Sequence, residues 1–179
     1  ATSMLPCGED LGMVPDCVPW VMDELQVLSL EIERMPKNPH HEFGQLSEYP
    51  FRSVCTIGTH DMAAMRGWWK EDSQVTARYY YNVLGRGGDV PAEALGWICE
   101  EIVRRHLESP SLLCILALQD WLAIDEQLRL PNADAERINV PANAQHYWRY
   151  RMHISLESLM KQAAFNSRIT QLVEQSGRA

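Results

Sequence analysis

Four short apolar runs, spread along the chain with helical patterns and polar loops between them, limit its fold more than any other feature. They are Met4–Cys7, Val27–Ile32, Ser53–Ile57 and Leu113–Leu118. Each is β-branched or Leu-rich and alternates only weakly, which suits strands buried on both faces of a parallel sheet. The segments between or after them predict helices. Val18–Leu25 follows the start signal Pro15–Asp16, and Asp61–Leu84 is a longer candidate. Pro91–Glu108 has an apolar face at Leu95, Ile98, Ile102, Val103 and Leu107. Ser155–Gln175 opens on Ser155 as N-cap, with Glu157 and Glu174 flanking an amphipathic run. Strands alternating with helices predict βα units and a parallel sheet.

Pro36–Pro50 and Arg129–Gln145 read as polar linkers, and no internal repeat or second domain shows, so residues 1–179 are expected to form a single domain. A (β/α)₈ barrel needs eight strands and usually about 250 residues. Four strands in 179 residues leave two architectures open, a small open α/β sheet or half of a barrel.

The net charge of −8 argues against a broad nucleic-acid or anionic-membrane surface. No apolar run reaches the roughly 18 residues of a membrane helix, and the N-terminus lacks a secretory pattern. The first residue is not Met, so a processed product or a fragment is expected. Cys7, Cys17, Cys55, Cys99 and Cys114 are odd in number and form no CxxC. Neither a disulfide framework nor a zinc cage is signalled, and a reducing cytoplasm fits.

Two of the apolar runs stop at acidic residues, in GEDLG and TIGTHD. Glu9 and Asp61 would then stand at the carboxyl ends of strands. Two readings apply. Asp and Gly are common where strands end in turns. Alternatively, in a barrel enzyme catalytic groups gather on that rim, and paired carboxylates serve glycosidic bond chemistry, one as general acid and one as nucleophile or base. Asp10 would face the opposite way from Glu9 and cap or pair locally.

GEDLGMVP, TIGTHDMAAMRGWW, LALQDWLAI and NVPANAQHYWRYRM, in that order, resemble the 4-α-glucanotransferases, also called amylomaltases or disproportionating enzymes. VMDELQVLSLEIERMPK and INVPANAQHYWRYRMHISLESL resemble the long plant cytosolic form and its bacterial relatives. The resemblance implies the C-terminal half of a (β/α)₈ barrel, about four parallel strands with helices. It implies retaining transfer of α-1,4-glucan segments between maltooligosaccharides through a covalent intermediate. By motif, Glu9 matches the general acid/base, Asp61 the carboxylate that holds donor-sugar hydroxyls, and His60 a histidine on the same sugar. Asn139 matches a substrate-contacting asparagine, although this chain has Ala142 where shorter family members have Gly. The family nucleophile is an aspartate in an Arg-x-Asp-His type motif on the strand before GEDLG, a motif these residues do not contain. The two key carboxyls of a retaining enzyme sit roughly 5 Å apart and both are needed, so the isolated chain is expected to lack transferase activity. It could then be a structural or glucan-binding half-domain, while the intact enzyme could also act as an α-glucan hydrolase. No cofactor is implied, because acid/base and covalent catalysis need none. The expected partner is a maltooligosaccharide or α-glucan, not nucleic acid or membrane. The open edges of a half-barrel predict self-association.

Other residues carry paired readings. Trp68 and Trp69 could stack on sugar or pack in the core. Tyr79, Tyr80 and Tyr81 read as a helix face plus exposed rings. His146, Trp148 and Arg149 could pack or touch sugar. Gln119–Asp120, taken as ending the fourth strand, could orient catalytic groups or cap the next helix. His40–His41 lacks the further ligands of a metal site.

Overall fold

The computed structural model describes residues 3–148 and 150–178. Four parallel strands form one sheet: β1 (Cys7–Gly8), β2 (Leu28–Ile32), β3 (Ser53–Thr56) and β4 (Leu113–Cys114). Their spatial order is their chain order, β1-β2-β3-β4. Doubly wound sheets reverse order at a switch point, whereas a barrel steps round in sequence. The unreversed order is that of a partial α/β barrel, which decides between the two expected architectures. Ser29 pairs with Ser53 and Glu31 with Cys55 in the β2–β3 register.

The helices are α1 (Val18–Glu24), α2 (Met65–Glu71), α3 (Ser73–Arg78), α4 (Gly96–Leu107), α5 (Leu118–Ala123), α6 (Leu156–Met160) and α7 (Ala163–Gln175). Several differ from the sequence reading. The first strand lies at Cys7–Gly8 rather than Met4–Cys7, and Met4 and Leu5 are exposed. The fourth run pairs only at Leu113–Cys114, because Leu118 already opens α5. Gln119 and Asp120 therefore sit in the first turn of a helix, not at a strand end.

The expected helix over 61–84 is broken into pieces. Residues 61–64 are loop. Asp72 leaves helical geometry at φ −144°, ψ 106°, and its carboxylate accepts the N–H groups of Gln74 and Val75, so it ends α2 and caps α3. A π-helical turn follows at Tyr79–Val83. Ser155 does cap α6, accepting from Ser158 N–H at 3.2 Å, but a break at Lys161–Gln162 separates α6 from α7. Ile98, Ile102, Val103 and Leu107 are buried as expected on α4, whereas Leu95 is its half-exposed N-cap.

The main core gathers α2, α4, α5 and the aromatic residues. Trp69 is 2 % exposed, meets Tyr79 and Tyr80 edge-on, and donates its indole N–H to Pro91 O at 2.9 Å. Trp68 is half-buried against Phe43 and Tyr79. The Trp pair is thus core rather than sugar platform. Tyr79 and Tyr80 are buried and Tyr81 is exposed. Glu33 is buried with them, and holds Tyr79 Oη at 2.6 Å and Arg105 Nη2 at 3.0 Å. A buried carboxylate is tolerable only with such partners.

Candidate active site

Because the strands are parallel, their carboxyl ends open on one rim. β1 exits directly into Glu9, whose side chain is exposed, while Asp10 turns the other way and is buried. Asp10 accepts from Leu30 N–H at 2.9 Å, Ser29 Oγ at 3.0 Å and Lys37 Nζ at 2.7 Å. Burial pushes the Asp10 carboxyl up, but Lys37 and these hydrogen bonds outweigh it and hold the group below its ordinary range. Asp10 does pair, yet with residues 19 to 27 positions away, so the expectation of a local partner is corrected. Its effect is to pin the β1 exit to β2.

The β3 exit is the loop Ile57–Ala64. Arg34 straps it from below, donating from Nε to Ile57 O and from Nη2 to Ala63 O, both at 3.0 Å. The Arg34 guanidinium also lies 5.1 Å over the Trp68 ring. Gly58 leaves room where the loop crosses this strap, because a Cβ there would push Arg34 Nη2 aside. Held this way, the loop presents His60 and Asp61, each about half-exposed, with His60 Nε2 3.5 Å from Asp61 Oδ1.

A second element completes the group. Asn139 donates from Nδ2 to Asp61 Oδ1 at 2.6 Å, and Trp148 lies against His60 with ring centroids 4.6 Å apart. Asp61, His60, Asn139 and Trp148 therefore meet, although 78 positions separate Asn139 from Asp61. Glu9 stands apart from this cluster on the same rim, at the exit of β1, with β2 between. His146 faces its own loop through Nε2 and Ile138 O at 2.9 Å. Arg149 lies outside the described residues.

The loop that carries Asn139 is anchored from the core. Glu136 and Arg66 form a buried ion pair at 2.5 Å, and Arg66 also donates to Leu130 O at 2.7 Å. Gln119 Nε2 reaches Glu136 O at 3.3 Å. Sequence reasoning missed Arg34, Arg66 and Glu136. Pairs so distant in sequence leave no local trace, and Glu136 lies in a stretch that reads as a polar linker. Asp120 answers its open question: it lies buried in the first turn of α5, where the starts of α5 and α2 meet. Burial pushes its pKa up to about 6, against the pull of nearby Arg34. Arg34, Gly58, His60, Gln119 and Asp120 line a cavity of about 80 Å³ beneath the loop. Among the described residues no group of three or more His, Cys, Asp or Glu could hold a metal ion, and no helix is long and apolar enough to cross a membrane.

Known proteins resemble this chain both in sequence and in fold. The family described as 4-alpha-glucanotransferase matches residues 1–157. The chain is 40 % identical over 179 residues to the rice (Oryza sativa subsp. japonica) 4-alpha-glucanotransferase DPE2, covering all of this chain and 19 % of that protein. It is 30 % identical over 179 residues to the 4-alpha-glucanotransferase of Chlamydia pneumoniae, covering 97 % of this chain and 33 % of that one. The chain thus spans a fifth to a third of the length of these relatives. In fold it is similar to the amylomaltase from Streptococcus agalactiae, solved in complex with acarbose, at a TM-score of 0.71 and 18 % identity over 97 % of this chain and 32 % of that one. The amylomaltase from Corynebacterium glutamicum gives 0.64 at 17 % identity, over 98 % and 29 %. The family match over residues 1–157, with 40 % identity to a relative along the whole chain, places this chain in the 4-alpha-glucanotransferase family.

Proposed function

We propose that these 179 residues are the C-terminal part of the catalytic barrel of a retaining 4-α-glucanotransferase, and that the intact enzyme transfers α-1,4-glucan segments between maltooligosaccharides. The observation that carries this reading is the Asn139–Asp61–His60 cluster at the β3 exit, on the rim that also carries Glu9. Asp61 Oδ1 is engaged by the Asn139 amide, which orients the carboxylate and leaves Oδ2 for the hydroxyls of the donor sugar. His60 and Asn139 bind the same sugar. Exposed Glu9 is free to approach the glycosidic oxygen. It protonates the leaving oxygen while a carboxylate nucleophile attacks the anomeric carbon, and then takes the proton of the acceptor hydroxyl as that oxygen displaces the enzyme.

That nucleophile belongs to sequence outside these 179 residues, as the greater length of the relatives supports. The chain by itself is accordingly inactive, and its open sheet edges and exposed apolar residues drive self-association. The protein works in the cytoplasm, in keeping with its free thiols, and without a nucleic-acid or membrane partner.

A maltotriose disproportionation assay tests this reading, comparing the chain with the longer polypeptide that contains it. The longer form is expected to yield glucose and longer oligomers, and its Glu9→Gln variant to lose activity by roughly 10²–10⁴-fold. Glucose without longer oligomers would mark a hydrolase instead. Activity in the 179-residue chain alone would overturn the assignment of roles.

A further inference from the structure

Cys55 on β3 and Cys114 on β4 are partners in the parallel register. Neighbouring strands lie ~4.7–4.9 Å apart, inside the ~4.4–6.8 Å Cα separation that a disulfide accepts. Register partners project to the same face of the sheet, so the two thiols lie side by side. Their surroundings differ. Cys55 is fully buried and Cys114 is half-buried. Near Cys114 lies the Arg178 guanidinium, itself pinned to Leu107 O at 2.5 Å and Ser109 O at 2.6 Å. The neighbouring Cys114 thiol and burial push the Cys55 thiol up, whereas the Cys55 thiol and Arg178 together favour the Cys114 thiolate over the cost of its own burial. A partly exposed thiol, with a guanidinium in its surroundings and a second thiol opposite it in the register, is the arrangement of a reactive and a resolving cysteine.

We propose that Cys55 and Cys114 are a peroxide-responsive modification site that closes to an intrachain disulfide tying β3 to β4. The Cys114 thiolate attacks one oxygen of a hydroperoxide. The O–O bond breaks, the other oxygen leaves after protonation as water from hydrogen peroxide (or as the alcohol from an organic hydroperoxide), and Cys114 becomes a sulfenic acid. The Cys55 sulfur then attacks the Cys114 sulfur. An S–S bond forms, the S–O bond breaks, and the hydroxyl departs as water with the Cys55 proton. Two thiols are oxidised and one peroxide is reduced. The crosslink lies on the strand whose exit carries His60 and Asp61, so it stiffens the base of the rim.

The test is peptide mapping of the folded 179-residue chain after hydrogen peroxide treatment, digested without reduction. The expected dominant disulfide joins the tryptic peptide Ser53–Arg66 to His106–Arg129, with the loss of two hydrogens. Exposed Cys7 and Cys17 report that the oxidant was active. In denaturant the preference for this pair should disappear. In Cys55→Ser, Cys114 should be trapped as a sulfenic acid that dimedone labels. Oxidised Cys7 and Cys17 without the linkage in the folded wild type would overturn the proposal, as would the same linkage forming equally in denaturant.

Discussion

The two ends of the sheet are built to different standards. At β3 and β4 the rim stands on a dense base of Trp69, Tyr79, Ile98, Cys99 and Val103, all nearly inaccessible. Two buried ion pairs or networks brace it, Arg66 with Glu136 and Glu33 with Tyr79 and Arg105. Both edge strands have only two paired residues, but at β1 the helix α1 buries none of its own and Met4, Leu5, Met13, Trp20, Val21 and Leu25 face solvent. One end stands on a packed helical core and the other on a helix with no buried residue. The lesson is that a site can be shared between a finished scaffold and an unfinished one. Asp61 is braced within the chain, whereas Glu9 has its strand pinned mainly by Asp10.

The largest effects should come from the dense end. Arg66→Met leaves Glu136 buried without its cation and is expected to cost about 3–5 kcal/mol. Trp69→Ala is expected to cost a similar ~3–5 kcal/mol, from lost burial and the cavity left behind. Urea unfolding of each variant checks both values. A loss under about 1 kcal/mol in either would mean that the two ends differ less than their packing implies.

Next come opposite pH slopes at the two ends. Asp120 is raised by burial from 3.8 to about 6. Between these values the folded state holds more protons than the unfolded one, so this group's contribution to stability falls as pH rises through about 4 to 6. The full excursion is of the order of 3 kcal/mol. Asp10 is depressed, so it stabilises above its ordinary value and that contribution is lost as pH falls through its folded pKa. Thermal melts against wild type, of Asp120→Asn at pH 4.5 and 7.5 and of Asp10→Asn at pH 2.5 and 5.0, should therefore separate. Asp120→Asn gains relative to wild type as pH rises, and Asp10→Asn is most destabilised at the higher pH. Slopes of the same sign would break the contrast.

The site itself should respond with little change in stability. Asn139→Ala removes one half-exposed hydrogen bond to Asp61 and is expected to cost at most about 1 kcal/mol in folding. In the longer polypeptide it should lower kcat/KM on maltotriose, because the Asp61 carboxylate is no longer oriented. Unchanged kinetics would separate the cluster from the reaction.

The parts legible in sequence were those written locally. Short apolar runs gave the parallel strands, and the motifs around Glu9, His60, Asp61 and Asn139 gave the rim. Boundaries failed where one residue redirects the chain. Asp72 caps the helix after it and breaks the run expected from 61 to 84, while Leu118 belongs by composition to a strand and by geometry to α5. The supports Arg34, Arg66 and Glu136 were illegible because their partners lie 23 to 70 residues away. Asp120 was noticed for the wrong position, since its role depends on two helix starts that only folding brings together.

The smallest change in stability, and the sharpest test of the thin end, is Trp20→Ser on α1. Trp20 is 68 % exposed, so it contributes little within one chain, and its substitution should stay within about 0.5 kcal/mol of wild type. Its neighbours Val21 and Leu25 extend the same exposed surface. If that surface drives association, light scattering should show the wild-type chain as a species larger than its 20.5 kDa mass. Trp20→Ser, and more strongly the Trp20→Ser, Leu25→Ser pair, should move it towards the monomer at constant melting temperature. A monomeric wild type would show that α1 tolerates its exposure. A drop in melting temperature would instead show that Trp20 already packs on its own chain, and the two ends would then be closer in construction than their solvent exposure suggests.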